Sequence, residues 1–388
     1  MTTPLPSGYC AGSRFLDLDI TNLNFSNTVP AEHSDKNNFV HFAGEKEIVP
    51  TACIYLIHGL HGTEKDFDNF VKILKKEPPY DDGQDPKEKS AKLLELPPTI
   101  ILRSISNRGM LPTMQGVEEC ALNALQEIRQ CLEQWESIKY LTVLGHSFGG
   151  VIARNMVEKL SKDTFFEDIA LVDLFLVASP TLGVRRPQNR LVSAPFNATF
   201  HFGANIVAGK TGTELLLNDE KTILHEMTKE KYVNVYAKFS RRLMYGNIFN
   251  DIQVPYTTAL ASKTHNPFKL NNAKKVILSD GKESKYRNIV TGWSEEGVVD
   301  MAATQFEIPP DQCGLNFQHD ARKEKLKAMV ANMHKVEWIK YPVLLNYLAH
   351  QQIIYKSNLI NAGKTTAAHI CNEIVVGLLK KTLEKSGE

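Results

Sequence analysis

Short, almost continuously apolar runs punctuate this chain, and longer stretches with helical periodicity lie between them. Six runs have strand length: TACIYLIHG (51–59), TIILRSIS (99–106), YLTVLG (140–145), DLFLVASP (173–180), RLMYGN (242–247) and VEWIKYPVLL (336–345). They are rich in Val, Ile, Leu and Tyr and show little polar alternation, as expected of strands covered on both faces. DFDNFVKILKK follows the first run, VEECALNALQEIRQCLEQW the second and GGVIARNMVEKLS the third. In the second of these helices Val117, Ala121, Leu125, Ile128 and Leu132 form one apolar stripe. A last helix near 365–385, carrying Ile370, Ile374 and Leu378, is placed to close the far edge of a sheet. Strand alternating with helix predicts a doubly wound α/β fold, mostly parallel, with helices on both faces of a central sheet.

Three stretches interrupt the pattern. Residues 75–92 are charged and Pro-rich and read as a surface insertion. Residues 181–240 and 256–330 are too long for simple connections, so the first is expected to be a helical cap or lid and the second a long excursion before the last strand. Residues 1–50 are an N-terminal arm, or two edge strands from SRFLDLDI and NNFVHF. The whole of 1–388 is read as one domain.

Composition narrows the class. Apolar residues make up 43% and charged residues 23%, and the net charge is +1, which gives no electrostatic footprint for nucleic acid. No apolar run reaches the roughly 18 residues needed to span a bilayer. The N-terminus has no basic segment leading into an apolar one, so a cytoplasmic protein is expected, with peripheral contact to membranes or lipid droplets allowed. Six scattered cysteines without a C-x-x-C pair read as free thiols, and the histidines show no metal-ligand spacing. No metal or organic cofactor is expected.

The chemistry centres on LGHSFGG at 144–150. A serine hydroxyl needs exposure, a base and donors for the oxyanion it generates. In G-x-S-x-G the chain leaves a strand, reverses sharply and enters a helix with the serine at the tip. Gly145 ends a plausible strand and Gly149 opens a plausible helix, so Ser147 is the expected nucleophile and the Phe148 amide an expected oxyanion donor. IHGLHG, after the first strand, supplies the second donor. His58 and Gly59 support a tight turn that aims the Leu60 amide at the same point. A competing H-x-x-x-x-D pattern, His61 and Asp66, overlaps this loop but has only two fixed residues.

In such a sheet the active site gathers at the carboxyl ends of the strands. Asp251 follows RLMYGNIFN and is favoured as the acid over Asp219, which lies inside the cap segment. Of the five later histidines (His265, His319, His334, His350 and His369) only His350 is expected in a loop at the carboxyl end, which makes it the favoured base. His146, beside the serine, is read as support for the turn.

These stretches, taken in order, resemble the lipase-like serine esterase family of α/β-hydrolases, which includes fungal lipid-droplet phospholipases. The resemblance rests on YLIHGLHGTEKDF, NRGMLPTMQGVEECA, LTVLGHSFGGVIAR, LFLVASPTLGVR, GTELLLND, FSRRLMYGNIFNDIQVPYTTA and AHQQIIY. It covers about 50–260 and resumes near 336–380, while the N-terminal arm, 76–97 and 265–330 depart from it. It implies the α/β-hydrolase fold, Ser147, Asp251 and His350 as a triad, and hydrolysis of an ester or lipid through an acyl-enzyme. A thioesterase or acyltransferase on the same triad, or a catalytically silent binding scaffold, are the alternatives. Leu215–Leu217, Ile223, Leu224 and Met227 suit an acyl chain if the cap is mobile, and core packing if it is not. Arg185, Arg186 and Arg190 suit phosphate headgroups or a solvated face.

Overall fold

A computed structural model describes residues 15–17, 49–76, 96–184, 209–248, 251, 253–262, 286, 288–289, 323–345 and 347–386. Much of the N-terminal arm, the 75–92 insertion and the 256–330 excursion lies outside these residues. So do Arg185, Arg186, Arg190, His265 and His319.

The six apolar runs form strands β2 (Ala52–Ile57), β3 (Thr99–Arg103), β4 (Tyr140–His146), β5 (Ala170–Val177), β6 (Arg241–Asn247) and β7 (Ile339–Val343). SRFLDLDI adds a short edge strand, β1 (Phe15–Asp17). The sheet order is β1-β3-β2-β4-β5-β6-β7. Each neighbouring pair is parallel. Every strand therefore exits at the same edge.

Side chains on successive residues of a strand face opposite sides, and each side has its own core. Cys53, Tyr55 and Ile57 of β2 join one core, which is completed by helices α2 (Val117–Leu132), α3 (Phe148–Leu160), α4 (Glu230–Ala237) and α5 (Lys323–Met333). Ala52, Ile54 and Leu56 join the other, under α1 (Asp68–Lys76) and the long C-terminal helix α6 (Lys364–Ser386). This is the α/β-hydrolase arrangement, with a central parallel sheet between two helical layers. Asp173 and Arg241 are exceptions to the apolar rule on β5 and β6. Arg241 donates twice to Asp173, at 2.8 and 3.0 Å, and twice to Glu373 of α6, to its carboxylate at 2.9 Å and to its backbone carbonyl, so the charges are buried as a hydrogen-bonded set.

The described part of 181–240 is a layer of the body. Ile223, Leu224 and Met227 are buried, and Tyr232 and Tyr236 of α4 pack into the α3 core. The apolar stripe expected to face an acyl chain or the core faces the core. Arg154 of α3, fully buried, ties this layer together by donating to the carbonyls of Thr181 at 3.0 Å and Met227 at 3.1 Å.

His369 on α6 is buried. It shares a 2.9 Å hydrogen bond with the Tyr245 hydroxyl, between the rings of Tyr286 and Tyr341. Burial pushes its pKa from 6.5 down to about 4. In the unfolded chain it protonates near 6.5, so between about pH 4 and 6.5 the unfolded state binds more protons and stability falls as pH falls. Over that window His369 alone removes roughly 3 kcal/mol. Denaturant midpoints measured across this range should fall in the wild type and fall less steeply in His369→Gln.

Candidate active site

β4 ends at His146, and α3 begins at Phe148. Ser147 alone makes the reversal, at φ 55° and ψ −127°, a conformation that non-glycine residues seldom hold unless their surroundings enforce it. Two bonds do so: the Ser147 amide donates to the Val177 carbonyl at 2.9 Å, and the Gly150 amide to the Ser147 carbonyl at 3.0 Å. The flanking glycines are required sterically. A Cβ on Gly149 would sit 2.1 Å from the Ile57 carbonyl oxygen, and one on Gly145 would sit 2.4 Å from the Gly149 backbone.

Because the sheet is parallel, the exits of β6 and β7 reach the same edge as this elbow. Asp251 follows β6. The exit of β7 leads to a one-turn helix, Ala349–Gln352, which holds His350. The expected loop is therefore helical at the histidine itself. His350 Nε2 lies 2.8 Å from Ser147 Oγ, and His350 Nδ1 lies 2.9 Å from Asp251 Oδ2. A carboxylate only accepts, so Nδ1 carries the proton and Nε2 is left to accept from the serine hydroxyl. The other oxygen, Asp251 Oδ1, accepts the amides of Gln253 at 3.0 Å and Val254 at 2.8 Å. Both side chains are buried and Ser147 is half-buried, so the hydroxyl alone of the three faces outward.

The β2 exit abuts the serine. A Cβ on Gly59 would lie 2.8 Å from Ser147 Cβ and 3.3 Å from its Oγ. Gly62 closes a turn by donating to the Gly59 carbonyl at 3.0 Å, with His61 left-handed at φ 57°. The turn is pinned from the β3 side, where the His61 amide donates to Thr113 Oγ1 at 3.1 Å and the Gly109 amide to the Gly62 carbonyl at 2.8 Å. His58 is buried and donates Nδ1–H to the Gly59 carbonyl at 3.0 Å, and burial holds its pKa down. Leu60 and Phe148 are thus the residues immediately beyond the two backbone positions that meet at Ser147. Phe148 opens α3, where amides have no intrahelical acceptor and the helix end favours negative charge.

Sequence reasoning read His146 as support for the turn without finding its partner, and missed Glu127. His146 Nε2 is 2.8 Å from the backbone carbonyl of His350. A carbonyl cannot donate, so Nε2 carries the proton, and His146 anchors the main chain of the residue that faces Ser147. Burial, and then the neighbouring His350, hold its pKa well below the usual range, so it stays neutral. Glu127 of α2 is buried and accepts from Tyr55 Oη at 2.7 Å, Ser104 Oγ at 2.8 Å, Ser106 Oγ at 2.7 Å and the Ile105 amide at 2.6 Å. It sets the loop that in turn holds the Gly59–Gly62 turn. Its only local signal was a Glu on the apolar side of an amphipathic helix.

The rival residues are occupied elsewhere. Asp66 pairs with Lys356 at 2.9 Å. Asp219 accepts the Ile223 amide at 2.6 Å. His334 Nε2 contacts the Ala261 carbonyl at 2.9 Å. Among the described residues no group of three or more His, Cys, Asp or Glu is placed to hold a metal ion.

The family model described as "Putative serine esterase (DUF676)" matches residues 50–265. The chain belongs to that family. The match spans β2 through the turn after Asp251, and so includes Ser147, the Gly59–Gly62 turn and Asp251, but not His350. Two curated relatives from Saccharomyces cerevisiae are similar over shorter stretches. "Putative lipase ROG1" is 28% identical over 43% of this chain and 25% of its own length. "Putative lipase YDL109C" is 30% identical over 32% of this chain and 19% of its own length. The match therefore spans a quarter or less of those relatives. Among solved structures, a Listeria innocua gene product is 15% identical with a TM-score of 0.34, covering 55% of this chain and 78% of its own. A Paleococcus ferrophilus monoacylglycerol lipase is 13% identical with a TM-score of 0.30, covering 53% and 78%.

Proposed function

We propose that this serine esterase family member hydrolyses carboxylic esters of lipids, with Ser147 as nucleophile, His350 as base and Asp251 as the acid that orients it. The observation that carries the reading is the continuous pair of contacts, 2.8 Å from Ser147 Oγ to His350 Nε2 and 2.9 Å from His350 Nδ1 to Asp251 Oδ2. As Oγ attacks the ester carbonyl, its proton passes to Nε2 and the carbonyl electrons move onto oxygen. The amides of Leu60 and Phe148 receive that oxyanion. Collapse expels the alcohol, which takes the proton from Nε2 and leaves an acyl-serine. Water, deprotonated by His350, then attacks the acyl-serine and releases the acid. The Asp251 carboxylate stabilises the imidazolium formed in each half.

The name "lipase" borne by both yeast relatives supports a lipid as the ester. Among the described residues no helix is long and apolar enough to cross a membrane, so contact with lipid is read as peripheral. Cys53, Cys120, Cys131 and Cys371 are free and buried, which fits a reducing, cytoplasmic setting.

A fluorophosphonate probe should label Ser147, and the label should be mapped by peptide mass analysis. The labelled protein should lose turnover in a panel of acyl esters, phospholipids and acyl thioesters. Labelling elsewhere, or none, would make the scaffold reading the better one. Preference for thioesters, or transfer to an added alcohol in place of hydrolysis, would reassign the acceptor but keep the nucleophile.

A further inference from the structure

We propose that the rim around Ser147 is a docking surface for an anionic phospholipid layer; this rests on the esterase reading and extends it to where the substrate is met. Among the described residues eight large apolar side chains are exposed, and five of them, Met110, Leu111, Tyr347, Leu348 and Leu359, lie on the segments that lead from β3 to α2 and from β7 to α6. Leu111 is 75% exposed, Tyr347 71% and Leu359 91%.

The segments that carry them are tied together. Thr113, two residues from Leu111, receives the His61 amide, and the Gly109 amide reaches the Gly62 carbonyl. Asp66, from the same β2 exit, meets Lys356, three residues from Leu359. Leu348, two residues before His350, is exposed and left-handed at φ 47°, and its carbonyl receives the amides of Gln351 and Gln352.

The charge on this rim selects the occupant. Arg108 and Lys356 present exposed cationic side chains at 48% and 40%, whereas their carboxylate partners Glu64 and Asp66 lie beneath at 7% and 10%. Lys65 and Lys364 are also exposed on these segments. Buried anions, outward cations and projecting apolar side chains match a layer with anionic headgroups above acyl chains. Docked this way, the Ser147 hydroxyl would face the lipid, and an acyl ester would enter without crossing water.

The test uses the full chain as Ser147→Ala, so that vesicles are not consumed, with Leu111→Asp and Leu359→Asp added singly. Binding to phosphatidylcholine vesicles containing phosphatidylserine should exceed binding to phosphatidylcholine alone and weaken with salt. Each aspartate should lower it by about tenfold or more. In the Ser147 background the same two variants should hydrolyse a dissolved short-chain ester at the wild-type rate and keep the wild-type melting temperature. Equal vesicle binding by the variants, or no response to phosphatidylserine, would overturn the proposal. So would a concentration-dependent dimer that the variants dissolve, because the surface would then belong to a second copy. Vesicle binding with no ester turnover in the wild type would sink the esterase reading and leave the surface standing.

Discussion

Ser147→Ala is expected to lower kcat for an activated acyl ester by about 10⁴-fold or more, while the protein remains folded. Activity should fall so far because the Ser147 hydroxyl is the group held 2.8 Å from His350 Nε2, and on the proposed mechanism its loss leaves the histidine no nucleophile to activate. Stability is spared for a separate reason. The Ser147 side chain makes no capping bond to α3, and alanine keeps the Cβ around which the elbow is packed. The elbow's hold on φ 55° comes from the backbone bonds to Val177 and Gly150 and from the glycines beside it, all of which the substitution leaves in place. Turnover and melting temperature measured on the same preparation check both halves. Retained turnover would remove Ser147 from the mechanism.

The second large effect is at Asp251. Asp251→Asn should lower kcat by about 10³- to 10⁴-fold with little change in melting temperature. The carboxylate has divided duties, Oδ1 receiving two backbone amides and Oδ2 facing His350 Nδ1. Asparagine can keep its carbonyl on the amides, which places an N–H donor against Nδ1. The histidine then adopts the other tautomer, with a proton on Nε2, and cannot accept from Ser147. The loss should therefore appear in kcat and in the fluorophosphonate labelling rate alike. Asp219→Asn, in the competing acid, should leave both unchanged. The opposite pattern would exchange the two assignments.

The legible parts of the site were those with local signatures. Gly145, Ser147 and Gly149 announced the elbow because a strand-to-helix reversal leaves no room for Cβ atoms, and that constraint is written within five residues. Asp251 and His350 were singled out by position, since each follows a strand whose apolar run marks where it ends. His350 was expected in a loop because four residues of helix are too few to leave a period. What His146 holds was hidden, for its partner is a backbone carbonyl 204 residues away that no local pattern encodes. Glu127 gave only a Glu on an apolar helix face, because its partners Tyr55, Ser104, Ile105 and Ser106 lie on other elements.

By itself the sequence determined the strands, their double-sided burial, the helical faces and the elbow, because apolar period and glycine spacing act over a few residues. It also narrowed the acid and base to strand exits. Only the tertiary structure decided what those faces and exits meet. The parallel register β2-β4-β5-β6-β7 carries Ser147, Asp251 and His350 to one edge, although the hydroxyl and the imidazole are 203 residues apart. It also placed Ile223, Leu224 and Met227 in the core and left Leu111, Leu348 and Leu359 facing out. Burial is a property of what packs above a side chain, and a leucine carries the same local signal in either place.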